Sequence, residues 1–526
     1  MFLKKEKLFI EVSVLLSILI YAFLITWQSG NIGVLPIDSF GFLDTAYSII
    51  NGHLPIRDFW IFTGLLVDYM GAAFFYIFGN NWNSYLAHSS FMNILATMGF
   101  YLFLKEYDLK YFYIVFYSLC FATLCYPVSG TPFAYMHAYI FSLLATFNLL
   151  IAIKKKNKYL WFSFPYVCFL AFLSMQTPTS YILIILFILL IFHFFKKKEP
   201  EKLKFFLLGC ISSILLFLLF LYLTKTPIVN FIYQYILFPL TIGEGRIISE
   251  DTAYISLIDQ FNLKRLFGEF KFIHFFLLPL VFLSFKTFKK NKRDLNILNI
   301  IIIFSVFAFF FNQLITANQT YIFSLIPILA STIHLNLNNL KIDSKIFYLI
   351  LFMVLFATTK FHLRFNVDRK FHDLENIDKN KAINANEINK NFKNLRWISK
   401  FEDPKEELII IEKALKVIDD DSREKSLITH YQFVSTILDK PMNVLNRWYL
   451  WDNNTHPTEN HRYFEFYKSL IDKNIKKNNV KVIYLLGQKN EIKFEKIKNY
   501  FTDTCFENKT IIQGRFSSHK LINCKK

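Results

Sequence analysis

Charged residues are scarce in this chain of 526 residues. Asp, Glu, Lys and Arg together make up 19% of it, while hydrophobic residues make up 54% and include 63 phenylalanines. So apolar a composition excludes an ordinary soluble domain and predicts an integral membrane protein. The formal net charge of +19 reflects lysines that lie in short clusters between apolar runs, as topology signals do. The clusters carry no interleaved aromatic platform, so we expect no nucleic acid as a partner.

The sequence also lacks a glycine-rich nucleotide loop. Neither G-x-G-x-x-G nor a phosphate loop occurs, and there is no internal repeat. No segment on the side predicted to be cytoplasmic is long enough to hold a nucleotide-binding domain. These absences argue against an ATP-driven pump.

Cysteines are few, and their positions divide them into two groups. Four of the six fall in or beside apolar runs, where we expect small buried hydrophobes. Cys505 and Cys524 lie in the polar C-terminal region, and a pair in an otherwise cysteine-free extramembrane domain suggests a disulfide in an oxidising compartment. Two free thiols near a disordered end are the alternative.

Apolar runs and lysine clusters predict a multi-pass topology. Lysines before the first run predict a cytoplasmic N-terminus, and this run is interpreted as an uncleaved anchor because it lacks a small-residue cleavage site. The interrupted run 60–78 is interpreted as an interfacial or re-entrant helix, because a span there would turn the later lysine clusters outward. About eleven spans are then expected, near 8–27, 84–104, 111–128, 138–153, 159–175, 180–195, 204–224, 272–287, 295–312, 320–336 and 345–361.

This topology divides the chain into two domains. Residues 1–361 form the predicted transmembrane domain, and residues 362–526, where helical patterns alternate with short apolar runs, form a predicted extracytoplasmic α/β domain. The expected location is the plasma membrane, which in a bacterium is the inner membrane facing the periplasm. A lipid bilayer is therefore one expected partner.

Segment 36–59 collects polar groups between the first two apolar runs. It holds the carboxylates of Asp38, Asp44 and Asp58 together with Arg57 and His53. A period of 3.6 indicates one short amphipathic helix, begun by an Asp38 or Ser39 cap and ended near Asn51-Gly52. Such a helix is expected to lie along the membrane surface.

The same segment resembles a known family. Pro36-Ile-Asp38, Ala46-Tyr47, Gly52 and Pro55-x-x-Asp58-Phe59 resemble the first extracytoplasmic loop of the GT-C glycosyltransferases, which include protein O-mannosyltransferases and lipid A aminoarabinose transferases. The chain departs from the family pattern at Ser39, where Glu is usual, and at Gly64-Leu65, where prolines often stand. The resemblance implies an inverting transfer at the outer face, from a polyprenyl-phosphate sugar to a hydroxyl of a lipid, glycan or protein.

Asp38 is the expected general base of that reaction. One carboxylate suffices to accept the proton of the attacking hydroxyl, because the donor phosphate is already a good leaving group. A helix cap is the alternative role for Asp38. Asp44 is the second catalytic candidate and would orient the acceptor or hold a cation with Asp38. A divalent cation is therefore left open as a cofactor, although no tight ligand spacing demands one.

Further residues are candidates for substrate binding. Glycines on each side of Glu244 permit close backbone approach, and a guanidinium such as that of Arg246 can bind a leaving phosphate. Amides beside a membrane face suit sugar hydroxyls. Local salt bridges, helix caps and a snorkelling arginine are the alternatives. The candidates are Asp58, Arg57, Tyr47, His53, His137, Arg246, Glu244, Asn318 and Gln319.

Two other functions remain open from the sequence. A transporter or flippase of lipid-linked sugars should carry ionisable residues inside its spans, whereas here polar groups gather at the outer face. An extracytoplasmic binding or assembly protein would act through residues 362–526. Deletion of that region is expected to distinguish this function from that of an enzyme, because the enzyme would carry its chemistry in the first loop.

Overall fold

The structure of the protein is a computed structural model. It describes the whole chain except residues 1, 127–128, 156, 198, 249–262, 269, 317–321, 343–344, 451–452, 490–493, 502–503 and 524–526.

Long helices coincide with all eleven predicted apolar runs. Shorter helices lie in the first loop and in the segment between the seventh and eighth runs. In chain order the helices up to residue 362 are α1 (Phe2–Gly30), α2 (Pro36–Ser39), α3 (Leu43–Ile50), α4 (Leu65–Phe78), α5 (Trp82–Glu106), α6 (Tyr111–Cys125), α7 (Ala134–Lys154), α8 (Lys158–Ser174), α9 (Gln176–Lys196), α10 (Pro200–Leu223), α11 (Ile228–Phe231), α12 (Phe238–Ile248), α13 (Leu263–Gly268), α14 (Lys271–Lys289), α15 (Arg293–Ile315), α16 (Leu325–Leu340) and α17 (Lys345–His362).

Seven of the described helices are long and apolar enough to cross a bilayer. The number of eleven spans therefore stays a prediction, as does the side of the membrane on which each loop lies. The seven segments are Leu8–Gly30, Ala134–Lys154, Gln176–Lys196, Pro200–Leu223, Lys271–Lys289, Arg293–Ile315 and Lys345–Val367.

Amide side chains join the helices of this bundle internally. The Asn93 amide donates hydrogen bonds to the carbonyls of Ala22 and Ala122, which ties α5 to α1 and α6. Asn299 and Asn336 exchange two hydrogen bonds of 2.9 and 2.8 Å between α15 and α16. An amide in an apolar interior needs such partners, and interhelical hydrogen bonds of this kind stabilise helix packing within membranes.

Beyond residue 362 the chain forms a four-stranded sheet with helices on both faces. The strands run in the order β3-β4-β6-β5, with β3 parallel to β4 and the other pairs antiparallel. The elements are β1 (Ile383–Asn384), β2 (Arg396–Trp397), α18 (Pro404–Asp420), β3 (Lys425–Thr429), α19 (Val434–Leu438), α20 (Phe464–Lys477), β4 (Val482–Leu486), β5 (Thr504–Ile512) and β6 (Phe516–Asn523).

The central strand β4 explains why the sheet is covered on both sides. All five of its residues are buried. Val482 and Tyr484 pack in the apolar cluster that contains α18, whereas Ile483 and Leu485 pack in the cluster that contains α20. Successive side chains of a strand point to opposite faces, so a continuous apolar strand needs a helix on each face. Cys505 in β5 is disulfide-bonded, and Cys524 lies outside the described residues.

The first loop differs from its predicted shape. Instead of one capped helix it contains α2 and α3, which are separated by a bend at 40–42, and neither helix has a side-chain N-cap. Asp38 lies inside α2, and the Ser39 hydroxyl accepts a hydrogen bond of 2.9 Å from the Leu35 amide. The predicted caps are therefore wrong. Pro36 begins α2 without losing a helical hydrogen bond, because the first N–H groups of a helix have no partner within it.

The C-terminal region packs directly on the first loop. Val34 and Phe40 share one buried cluster with residues of α18 and α19. Backbone hydrogen bonds join the two parts as well, from the Val34 amide to the Ile398 carbonyl at 2.9 Å and from the Trp60 amide to the Leu445 carbonyl at 2.9 Å. The loop is thus held between the helical bundle and the sheet.

Candidate active site in the first loop

Asp38 differs from the other acidic residues described in the first loop, because no side chain binds its carboxylate. It is half-buried in α2, and no hydrogen bond to its carboxylate exists among the described residues. Burial raises the pKa of Asp38 to about 6, while the charge of His430 acts against this shift. A carboxylate with a pKa of about 6 is mostly ionised at neutral pH, and it is basic enough to accept a proton during a reaction.

Two further groups surround Asp38. His430 directly follows β3 and brings the carboxyl end of that strand to the first loop. Tyr85 of α5 lies within electrostatic reach of Asp38, and its hydroxyl accepts a hydrogen bond from the Phe42 amide. Asp38 therefore lies where the helical bundle, the first loop and the sheet meet.

A chain of buried polar groups fixes α2 behind Asp38. Arg369 donates to the Ile32 and Ser129 carbonyls at 2.8 and 2.7 Å and to Nδ1 of His372 at 3.2 Å. Because Arg can only donate, Nδ1 of a neutral His372 accepts and its Nε2 carries the proton. Nε2 then points this proton at the Ser39 hydroxyl, 3.4 Å away.

The carboxylate of Asp44 binds the C-terminal region instead of facing open space. One oxygen accepts hydrogen bonds from the Thr436 amide at 2.9 Å and from its hydroxyl at 2.7 Å, and the other accepts from the Ser435 amide at 3.3 Å. Burial raises the pKa of Asp44 to about 6, and the bonds from Thr436 and Ser435 act against this shift. These contacts anchor α3 to α19.

Asp58 and Arg57 are likewise engaged by protein groups. Nε and Nη2 of Arg57 donate to one Asp58 oxygen at 2.8 and 2.5 Å, and Lys477 donates to the other at 3.2 Å. Burial alone would raise the pKa of Asp58, but the hydrogen bonds from Arg57 and the Leu54 amide hold it below its usual value. Arg57 also donates to the carbonyls of Gly52 and Thr224. This pair joins the first loop to α20 and to the end of α10.

A buried ion pair between Asp68 and Arg447 fixes the loop from its other side. Arg447 donates to the Asp68 carboxylate and to the Thr63 carbonyl, and both charged side chains are almost fully buried. Thr45 of α3 donates to the second Asp68 oxygen at 2.6 Å. Gly64 has φ +74°, and a Cβ there would collide with Phe42 and Arg447. Glycine is therefore required at the turn into α4.

Three further candidates, two in the first loop and one in α7, are placed differently. The Tyr47 hydroxyl donates to Asp439 at 3.0 Å, which uses it in the contact with the C-terminal region. His53 is half-buried, and burial lowers its pKa. His137 lies in α7, where its Nε2 faces Nε2 of His88 at 2.9 Å and its Nδ1 donates to the Phe133 carbonyl. The structure therefore does not bring Tyr47 and His137 to the open side of Asp38.

The candidates outside the first loop add one exposed ion pair. Glu244 in α12 pairs with Arg462 at 3.0 Å, and both side chains are more than half exposed. Arg246 lies in the same helix, but its side chain is outside the described part of the structure. Asn318 and Gln319 lie outside the described residues altogether. Among the residues described, no group of three His, Cys, Asp or Glu side chains is arranged to hold a metal ion.

Three cations lie together where α14 begins and α17 ends. Nζ of Lys271 and Nζ of Lys360 lie 5.7 and 5.2 Å from the centre of the same Phe272 ring, and Arg364 lies over Phe365. Lys271 and Arg364 both repel Lys360 electrostatically. Across the described residues, no carboxylate forms an ion pair with any of the three. We name Lys271, Lys360 and Arg364 the α14–α17 cation cluster.

Sequence reasoning missed several of these residues. A weak signal existed for His430, because it ends a short apolar run predicted as a strand, and the ends of parallel strands often carry functional side chains. The indole of Trp448 donates to the Ile37 carbonyl at 2.8 Å, and its ring packs on Phe42 of the first loop. Local sequence gave no signal for Arg369, His372 or Arg447.

Comparisons with known proteins show a likeness of fold. Neither a protein-family model nor a curated protein sequence matches the chain. Its fold is similar to that of ArnT from Cupriavidus metallidurans, solved with undecaprenyl phosphate bound, with a TM-score of 0.54 over 97% of both chains at 9% identity. The oligosaccharyltransferase of Archaeoglobus fulgidus, solved with zinc and sulfate, gives a TM-score of 0.45 over 89% of this chain and 67% of its own, at 12% identity.

These findings establish the architecture of the chain. The predicted resemblance to the GT-C proteins is confirmed as a likeness of fold. The chain is a multi-pass membrane protein with a C-terminal sheet domain.

Proposed function

We propose that the protein is a membrane glycosyltransferase that moves a sugar from a polyprenyl-phosphate donor to an acceptor hydroxyl, with Asp38 as the general base. The observation that carries this proposal is the state of Asp38. It is a half-buried carboxylate without a hydrogen-bond partner among the described residues, whereas Asp44 and Asp58 are held by protein donors. The ArnT-like fold, in a relative solved with undecaprenyl phosphate, supports a lipid-linked donor.

The proposed reaction needs only one proton acceptor from the protein. The acceptor hydroxyl attacks the anomeric carbon and its proton passes to Asp38, while the bond from the anomeric carbon to the phosphate oxygen breaks and leaves polyprenyl phosphate. Attack opposite the leaving phosphate inverts the anomeric centre. Asp44, Asp58 and Asp68 hold the loop in place as positioning residues.

The pH dependence of transfer tests this assignment. Only the ionised carboxylate accepts a proton, and burial raises the pKa of Asp38 to about 6. Transfer at saturating donor should therefore fall below pH 6 and reach a plateau above about pH 7. Purified protein in vesicles, supplied with labelled polyprenyl-phosphate sugars and mixed acceptors, gives the profile. Constant activity from pH 5 to 8 would rule out Asp38 as the base, and no transfer from any donor would count against the function itself.

We assign the donor phosphate to the α14–α17 cation cluster. Three cations without an ion pair among the described residues favour an anion, and the aromatic rings beneath them suit the entry of a lipid. The segment after Arg364 leads through Arg369 to His372 beside Ser39, so the cluster is connected to α2.

Neutralising the cluster should weaken donor binding more than catalysis. For Lys271→Gln with Arg364→Gln we expect KM for the lipid donor to rise about tenfold or more while kcat changes little, because charged hydrogen bonds to a phosphate act in the ground state as well. Lys370→Gln is the control, because this lysine pairs with Glu375 near the same end of α17. If the cluster variant and the Lys370→Gln control have the same KM for the lipid donor, then the cluster does not bind the donor phosphate.

A further inference from the structure

A cavity lies at the end of the helical bundle that is remote from the first loop. Its volume is about 390 Å³, within the range of small-molecule sites. Helix α7 begins beside the first loop, where Ala134 joins the loop's apolar cluster, and the cavity lies near the far end of this 21-residue helix. At 1.5 Å per residue the two ends are roughly 30 Å apart. The cavity is therefore remote from Asp38 and lies on the predicted cytoplasmic side.

The walls of this cavity are apolar. They come from the ends of α7, α9 and α14 and from the first nine residues of α15, and they match a hydrocarbon chain. The apolar lining residues are Leu149, Ile153, Leu189, Phe192, Phe288, Ile297, Ile300 and Ile301.

The rim of the cavity is cationic. Lys196 and Arg293 both line it and are exposed, and neither forms an ion pair among the described residues. His193 also lines it and contacts Glu199 at 3.2 Å, while Lys202 pairs with the same carboxylate at 3.0 Å. The Glu199 carboxylate is thus already used, and the exposed Asp294 next to Arg293 does not line the cavity, which leaves two cations at the rim for an anionic group.

A buried amide without partners lies between the rim and the walls. Asn296 lines the cavity and is 9% exposed, and its side-chain oxygen is buried without a hydrogen bond. No hydrogen bond from its nitrogen exists among the described residues either. A buried amide usually has a partner, because an unmade hydrogen bond costs about 1–3 kcal/mol. Asn296 thus indicates a ligand with polar groups at this depth.

We propose that this cavity binds an anionic phospholipid from the predicted cytoplasmic leaflet. One acyl chain lies between the apolar walls, the phosphate lies between Lys196 and Arg293, and the Asn296 amide meets the glycerol ester. Basic pockets between membrane helices on the cytoplasmic side suit such headgroups. A polyprenyl phosphate shares the anionic group, but its chain is far longer than this cavity. The proposal is independent of the proposed glycosyl transfer.

Lipid retention tests the proposal. The protein is reconstituted in vesicles of phosphatidylcholine with a minor share of phosphatidylglycerol and extracted in mild detergent, and its bound lipids are counted by native mass spectrometry. We expect one phosphatidylglycerol on the wild type. Lys196→Gln with Arg293→Gln should weaken its retention roughly thirtyfold, since each cation near a headgroup contributes about one kcal/mol.

A matched variant separates the cavity from general surface charge. Lys289→Gln with Lys290→Gln removes two charges at the same end of α14, but neither lysine lines the cavity. This control should retain the lipid, and Ile300→Trp, which fills the cavity without changing charge, should lose it. Equal loss in both charge variants, equal retention of phosphatidylcholine, or preferred retention of added polyprenyl phosphate would each overturn the proposal.

Discussion

Replacement of Asp38 by asparagine is expected to lower sugar transfer by about 10²- to 10⁴-fold, the usual contribution of a general base. Asparagine has nearly the same shape but does not accept a proton at neutral pH. Since no hydrogen bond holds the Asp38 carboxylate among the described residues, the change should leave the thermal stability of the protein close to that of the wild type. Initial rates from a labelled polyprenyl-phosphate sugar and thermal unfolding followed by tryptophan fluorescence measure the two effects.

Asp44→Asn is the matched control for this substitution. It makes the same chemical change a few residues away, at a carboxylate that accepts hydrogen bonds from Thr436 and Ser435. We expect a lower unfolding temperature but nearly normal transfer per folded molecule, because an amide oxygen still accepts from the Thr436 N–H. Full activity in Asp38→Asn together with lost activity in Asp44→Asn would identify Asp44, and not Asp38, as the general base.

The largest effect on stability is expected at the buried pair of Arg447 and Asp68. Arg447→Met leaves the Asp68 carboxylate buried without its cation, which typically costs about 3–5 kcal/mol. Combining Arg447→Met with Asp68→Asn should recover most of this loss, because no uncompensated charge remains and the amide oxygen still accepts from Thr45. Denaturant titration of the purified wild type, of Arg447→Met and of the double variant in detergent gives the three free energies of unfolding.

An exposed ion pair provides the comparison for this cycle. Arg462→Met breaks the contact with Glu244, also between the C-terminal region and the membrane half, but both side chains are more than half exposed. Its cost should stay below about 1 kcal/mol. If Arg447→Met costs no more than this control, or if the double variant is no more stable than Arg447→Met alone, then the buried pair does not hold the first loop.

This coupling changes how the C-terminal region can be tested. Deletion of residues 362–526 is predicted from the sequence to separate an enzyme from a binding protein. The deletion would also remove Arg447 and Thr436, which leaves Asp68 and Asp44 without their partners. A loss of activity would then report only the collapse of the first loop. Single substitutions in the full chain, as above, avoid this ambiguity.

The positions of the long helices were predictable because the signal is local. A run of about 20 apolar residues satisfies its own backbone hydrogen bonds as a helix, whatever surrounds it. The loop helix was less predictable. The 3.6 period from Phe42 to Ile50 correctly indicated α3, but the bend at Gly41 lies against the Trp448 indole, far away in sequence. The sequence period contains no information on that contact.

The roles of the acidic residues depended on distant partners. Thr436, which binds Asp44, is 392 residues away; Lys477, which binds Asp58, is 419 residues away; and Arg447, which binds Asp68, is 379 residues away. From local sequence the four carboxylates of the loop look alike. Only the fold distinguishes the three that stabilise it from Asp38, for which the family resemblance also predicted the catalytic role.

The most direct test of the central claim is to compare donors with the wild-type protein in sealed vesicles. The same labelled sugar is supplied as a polyprenyl-phosphate sugar in the bilayer or as a nucleotide sugar in solution, with acceptor on the side of the C-terminal domain. The account predicts that only the lipid-linked donor is consumed, with one polyprenyl phosphate released for each sugar transferred. Use of the nucleotide sugar, or movement of intact lipid-linked sugar across the bilayer without release of polyprenyl phosphate, would contradict it.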